Sequence, residues 1–372
     1  MSQSSSHRPV KVGIIGCGAI SHTYLKGLKT FPILETVHLA DLDPERARAQ
    51  AEAYGIGRHS GPEELLANPE VEIVINLTIP KVHAEVNLAA LGAGKHVYCE
   101  KPFSITRAEG LPVIERAKEL GLRLGSASDT FLGSAHQTCR KLIDDGAIGR
   151  PLSAVAFMAT HGVETWHPNP TFYYDIGGGP MFDMGPYYLT ALVNMIGPMR
   201  RVSGSTGVGF AERLVTSQPL AGTRIAVKTP THLAGTIDFA NGAIATVMMS
   251  FDIWSTHLPR IEVYGTEGTL SVPDPNGTVG QVLLKRSEHR EWRDMPLTHT
   301  EMATRGAGVA DMAYAIRSGR PHRASGELAY HVVDAMQAFE ESSVSEHHVA
   351  LSSPCCQPAA IPPGLAKGTL DE

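Results

Sequence analysis

The sequence predicts an α/β protein, with an N-terminal doubly wound parallel sheet and a C-terminal α+β domain built on a mainly antiparallel open sheet. Three observations predict it. Short apolar runs alternate with helical patterns through the first third of the chain, as parallel βαβ units do. A glycine-rich turn follows the first apolar run and opens a helix. After about residue 131 strands come in runs instead, one pair joined by Asn241-Gly242, a strong hairpin signal.

The elements follow in order. KVGIIG (11–16) is a strand buried on both faces, and ISHTYLKGLKT (20–30) the helix after it. TVHLADL (36–42) is the second strand. DPERARAQAEAYG (43–55) is a helix with Asp43 as N-cap, Pro44 at its first position and Gly55 past its end. VEIVINLT (71–78), KHVYC (95–99) and LRLGSAS (122–128) read as strands, separated by the helices 81–94 and 107–121. HQTCRKLIDDGAIG (136–149) is a further helix, and residues 232–251 and 260–272 each read as a hairpin. Two helices come late, near 306–319 and 326–344. These boundaries predict a cofactor domain at 1–131, a substrate and oligomerisation domain at 132–352 and a tail or arm at 353–372.

Bulk properties narrow the function. With 372 residues, 42% hydrophobic and 19% charged, the chain is long enough for two domains with real cores. A net charge of −6 gives no electrostatic reason to expect nucleic acid or an anionic membrane as partner. No run approaches the ~20 apolar residues of a membrane helix. Five scattered cysteines without zinc spacing, and a polar N-terminus without a signal-peptide core, point to the cytoplasm and to no metal site. Cys355-Cys356 lies in the Pro-rich tail and reads as incidental, and His347-His348 as a solvated pair.

The chemistry starts at Gly16-Cys17-Gly18-Ala19-Ile20-Ser21. Placed between strand and helix, Gly16 allows the tight turn and Gly18 lets the backbone approach a pyrophosphate, while the N–H groups around Ala19 and Ile20 face the phosphates. Ser21 stands where a third glycine is usual, and a small hydroxyl residue still permits close packing. Asp41 ends the second strand, where a carboxylate binds the adenosine ribose hydroxyls and repels a 2′-phosphate. The expected cofactor is NAD, with Arg46 as the one residue that softens the preference.

Several longer stretches bring a family into view. VGIIGCGAIS, ADLDPERA, TIPKVHAEVNLAALGAGKHVYCEKP and GGGPMFDMGPYYL together resemble the glucose–fructose oxidoreductase / inositol dehydrogenase (GFO/IDH/MocA) family, over about residues 10–352. The resemblance implies a Rossmann domain whose cofactor contacts include Thr78, Pro80, His83 and Glu100. It implies that Lys101, at the carboxyl edge of the sheet, contacts both nicotinamide and substrate, with Pro102 fixing the turn and Glu100 orienting the lysine or nearby backbone. It also implies pairing of subunits through the C-terminal sheet, as a homodimer or homotetramer.

The second half of the site is expected in GGGPMFDMGPYYL (177–189). Asp183 and Tyr187 share a face if they lie on one helix. Pro186 opens an alternative, a helix beginning near Met184 with Asp183 merely its N-cap, and Tyr188 is an alternative phenol. His161, Trp166 and His167 come from an aromatic stretch suited to stacking on sugar rings, or to ordinary loop packing.

The expected reaction is hydride transfer between NAD and a secondary alcohol of a sugar, cyclitol or glycoside. Lys101, Asp183 and Tyr187 are the catalytic candidates. Free lysine and tyrosine titrate near about 10.4 and 10, too high for a base at neutrality. Burial beside the nicotinamide is expected to lower Lys101, and a charged Lys101 to lower Tyr187. Which of them takes the proton is left open. The alternatives are an NAD-dependent glycosidase working by transient oxidation, and a non-catalytic NAD-binding sensor. The substrate, the carbon oxidised, the direction and whether NAD dissociates each turnover are not legible.

Overall fold

Apolar runs too short for helices pair first into a parallel sheet. The computed structural model describes residues 8–302 and 305–371, so residues 1–7 of the expected first domain and Glu372 of the expected tail lie outside it. The strands are β1 (Val10–Ile15), β2 (Leu34–Ala40), β3 (His59–Ser60), β4 (Ile73–Asn76), β5 (His96–Cys99) and β6 (Leu124–Ser126). Their order is β3-β2-β1-β4-β5-β6, every neighbouring pair parallel. The intervening helices are α1 (Ser21–Leu28), α2 (Pro44–Tyr54), α3 (Pro62–Ala67), α4 (His83–Gly92) and α5 (Arg107–Glu119). Asp43 caps α2 by accepting from the N–H groups of Glu45 and Arg46, and Gly55 closes it in the left-handed region at φ 71°. β3 and α3 occupy a stretch for which the periodicity predicts no element.

Register decides where function can sit. Ala40, Ile15, Asn76, Cys99 and Ser126 lie side by side in one row across β2, β1, β4, β5 and β6. The residues after that row, Asp41, Gly16, Leu77, Glu100 and Ala127, form the sheet's carboxyl edge, where open α/β sheets bind ligands.

The second half starts with α6 (Ser134–Asp144), β7 (Pro151–Ala159), α7 (Gly179–Ile196) and β8 (Met199–Gly207). A two-stranded ribbon of β9 (Glu212–Leu214) and β10 (Arg224–Ala226) precedes β11 (His232–Phe239) and β12 (Ile244–Ser250). β13 (Ile261–Gly265), β14 (Gly268–Val272), β15 (Leu283–Arg286) and β16 (Arg293–Asp294) follow, then α8 (Ala307–Ser318), α9 (Gly326–Ser345) and β17 (Val349–Ala350). The nine-stranded sheet runs β16-β15-β14-β13-β7-β12-β11-β8-β17 and is antiparallel throughout except for the β7–β12 pair. Asn241-Gly242 turns β11 into β12, with Gly242 at φ 89°.

The late helices serve both sheets. α9 packs on β8 and α7 and also on α5 and β6, and α8 packs on α1 and β6. Residues 353–371, expected as a tail or arm, lie against the body: Leu370 is wholly buried, Ile361 nearly so, and Asp371 pairs with Arg320. Among the described residues no helix is long and apolar enough to cross a membrane.

Candidate active site

Gly16 follows β1 at φ 103°, and a Cβ there would stand 2.7 Å from the Leu77 backbone, so only glycine lets the strand turn here. A Cβ on Gly18 would meet nothing within 4 Å, so the outer side of the loop is open. Ser21 is fully buried and donates to the Gly18 carbonyl at 2.6 Å, tying the turn to α1 and its Ala19-Ile20 lead-in. Asp41 accepts from the N–H groups of Cys17 at 2.8 Å and Asp43 at 2.9 Å, which holds its carboxylate beside the loop. Arg46 lies 3.7 Å from both Asp41 and Asp43. A narrow turn, an open phosphate side and a fixed carboxylate fit a dinucleotide with free ribose hydroxyls.

The corner after β5 is braced from both sides. Glu100 is buried; one carboxylate oxygen accepts from the Tyr24 hydroxyl at 3.0 Å, the other from the Lys101 N–H at 2.7 Å. Glu100 therefore orients the backbone beneath the lysine. The Lys101–Pro102 peptide is cis. Buried His83 places its Nδ1 2.7 Å from the Pro102 carbonyl and its Nε2 3.0 Å from that of Thr78, so it bridges the ends of β4 and β5. Thr78 donates through N–H and hydroxyl to Asn76, at 3.1 and 2.6 Å, and Pro80 begins a single 3-10 turn leading to His83.

From the other sheet comes α7. It starts at Gly179, so Asp183 is an interior residue and not the N-cap, and Pro186 lies inside the helix with Tyr187. Lys101 Nζ donates to the Asp183 carboxylate at 2.7 Å and to its carbonyl at 2.8 Å, and lies 5.3 Å from the centre of the Tyr187 ring. The three catalytic candidates thus meet. Both expected electrostatic effects are present, and each is outweighed. Burial does work against the Lys101 charge, but Asp183, Tyr187 and Glu100 overcome it and push the ammonium above the ordinary lysine range. Burial likewise pushes the Tyr187 phenol up, outweighing the opposite pull of Lys101 and Arg305.

Tyr188 faces Asp274 and Arg260 and is not the phenol at this corner. The aromatic stretch divides. His161 stacks on Trp254 at 3.3 Å, with Phe210 edge-on at 5.7 Å. His167 touches Trp166, Phe172 and Tyr173 edge-on, and its ring feels the Asp183 charge. Trp166 is 64% exposed. Lys81 pairs with Asp175 at 2.6 Å, tying this stretch to the loop after β4. Sequence reasoning missed Tyr173, whose phenol is raised by burial and by Asp183, although FYYDIGGG advertised it. It also missed Arg305, which donates to the Tyr187 hydroxyl at 2.7 Å and carries no motif. A separate cavity of about 650 Å³ lies between α5, the start of α9 and residues 354–359, and holds none of these groups.

Comparison with known proteins agrees with this fold. Residues 10–128 match the family model "Oxidoreductase family, NAD-binding Rossmann fold", and residues 136–271 match "GFO/IDH/MocA C-terminal domain". A 1,5-anhydro-D-fructose reductase from Ensifer adhaerens is 29% identical over 74% of this chain and 80% of its own length. A trans-1,2-dihydrobenzene-1,2-diol dehydrogenase from Xenopus tropicalis is 28% identical over 71% and 81%. The structure of a levoglucosan dehydrogenase in complex with NADH and levoglucosan superposes with a TM-score of 0.80 at 21% identity, covering 93% of this chain and all of that one.

Proposed function

The chain belongs to the GFO/IDH/MocA family of NAD-binding oxidoreductases, and from that premise we propose that it transfers a hydride between NAD and a secondary alcohol of a sugar, cyclitol or glycoside. The names of the relatives, a sugar reductase and a diol dehydrogenase among them, support this substrate class. The observation that carries the reading is the meeting of an ammonium, a carboxylate and a phenol, delivered by two sheets to one carboxyl edge.

Gly16, Gly18 and the backbone at Ala19 and Ile20 hold the pyrophosphate, and Asp41 the adenosine ribose. Thr78, Pro80, His83 and Glu100 shape the edge that would receive the nicotinamide. When bound, NAD supplies the hydride acceptor, or in reverse the donor. The alcohol's O–H must lose its proton in concert. Lys101 is clamped in its charged form, so it accepts no proton. Its ammonium has three donors, two of them committed to Asp183, and the third is for the substrate oxygen. Tyr187 takes that proton only in its phenolate form, and in the reverse direction its phenol gives the proton to the carbonyl oxygen. Asp183 holds the lysine, and Trp166 and His167 offer ring faces to the sugar.

The test is cofactor reduction over a panel of monosaccharides, inositols and glycosides, with Lys101→Met as control. That variant keeps the side chain's length and removes the donor. Turnover should fall by ~10³ or more while NAD binding survives. Undiminished turnover in the variant, or glycoside cleavage with no net cofactor reduction, would reject this reading. Pairing of two copies through the nine-stranded sheet belongs to the same proposal, and light scattering on the purified chain checks it.

A further inference from the structure

We propose that Arg305 is a positioning residue for Tyr187: it turns the phenol's own hydrogen toward the cleft and holds the phenolate that forms there. The proposal rests on Tyr187 being the proton carrier. Arg305 stands just ahead of α8 and is only 9% exposed. Its Nη2 donates to the Tyr187 hydroxyl oxygen at 2.7 Å and to Asn276 Oδ1 at 3.0 Å, and the guanidinium lies 5.3 Å from the Tyr187 ring centre. The turn that delivers it is fixed. The N–H groups of Gly306 and Gly308 donate to the buried Asp129 carboxylate, at 3.2 and 2.8 Å, and Gly306 is in the left-handed region at φ 98°.

A guanidinium has only donors and does not titrate in this range. At the phenol oxygen it must donate, so the phenolic hydrogen points elsewhere. A charged donor also binds an anionic oxygen more strongly than a neutral one. The groups facing Tyr187 come from several elements. Lys101 and Arg305 favour its ionisation, and Glu100 and Asp183 oppose it. Tyr173, from the turn ahead of α7, is coupled to it as a second phenol. The Lys101 charge is already engaged by Asp183. Arg305 is the cation in direct contact with the phenol oxygen.

The experiment titrates tyrosinate absorption in the full-length protein, taking the difference from Tyr187→Phe to isolate this one phenol. In Arg305→Met the phenol should ionise higher by about one pH unit, tenfold in its ionisation constant. Arg305→Lys keeps a charge but not the fork, and should move it part of the way; it carries the test if the methionine variant fails to fold. With a turned-over alcohol in hand, the rising limb of kcat/KM for oxidation should move up in pH by the same amount, with NAD affinity unchanged. An unmoved phenol, or lost activity with an unmoved limb, overturns the role of Arg305 and leaves the dehydrogenase reading standing. A shifted phenol in a protein that oxidises no alcohol removes the dehydrogenase reading instead.

Discussion

Lys101 is committed before any substrate arrives. Its side chain is 18% exposed and paired with an Asp183 side chain that is 14% exposed, so removing either partner leaves an isolated, largely buried charge. Asp183→Asn should therefore lower the Lys101 pKa, and with it kcat, by ~10²-fold or more. The pH profile of the variant checks this by acquiring a lysine limb near or below the free value of about 10.4. Glu100 acts one step back, through the Lys101 N–H and Tyr24. Glu100→Gln can keep its oxygen on the Lys101 N–H and donate to the Tyr24 hydroxyl, but it removes the buried charge that helps hold Lys101 protonated, and a roughly tenfold fall in kcat is expected, measured by steady-state kinetics. Asp41 sets cofactor choice. Asp41→Ala removes the ribose acceptor and frees Arg46 from one partner, so NAD should bind about tenfold more weakly while NADP gains, as fluorescence titration of the two cofactors would read.

At the scale of elements, α7 shows how a local rule is overridden. Pro186 removes a donor and crowds the Phe182 carbonyl, yet the helix runs from Gly179 to Ile196 because nearly every residue along it is buried. Packing outweighs the proline. The Asp183–Tyr187 spacing therefore works as a helical one, with both side chains turned to Lys101. The 171–178 stretch is held differently, by Lys81 on Asp175. That hydrogen bond, with the Ile176 N–H next, holds the Asp175 carboxyl down to about 2. Its folded value is depressed, so the tie is fully present above the ordinary carboxylate value of about 3.9 and is lost as pH falls through about 2. Asp175→Asn should raise KM for the sugar severalfold at neutral pH with kcat largely kept. Unchanged KM would mean that the stretch is positioned by its aromatic contacts alone.

The whole molecule is held by what its last third covers. Deleting residues 353–372 would remove the buried Leu370 and Ile361 side chains, uncover the surface they pack on and strip Asp371 from Arg320. At about 1.5–3 kcal/mol for each fully buried aliphatic side chain, roughly 3–6 kcal/mol of stability should go, read as a lower denaturation midpoint. Acid should act globally too. Burial lowers both His96 and His136 to about 4. Each is neutral in the fold but takes a proton when unfolded, near the free value of about 6.5. Their stabilisation is complete above that value and is lost as pH falls toward 4. A melting temperature that drops between pH 6.5 and 4, and drops less in His136→Asn, is the expected record.

By itself the sequence determined the parallel sheet, the glycine turn, Asp41, the lysine corner and the two hairpins. Each of these is a local rule: a backbone angle only glycine reaches, a cap, a turn, a run of apolar residues. The resemblance of its motifs added the pairing of Lys101 with Asp183 and Tyr187. Only the tertiary structure decided that Asp183 lies within a helix, that His161 belongs to a stack with Trp254, and that Arg305 and Tyr173 reach the phenol and its carboxylate. Those outcomes turn on contacts between residues as far as 118 positions apart, on the charges that outweigh burial at Lys101, and on the burial that outweighs charge at Tyr187. Spacing along a chain encodes periodicity and turns, but desolvation and long-range charge exist only once distant segments share the same interior.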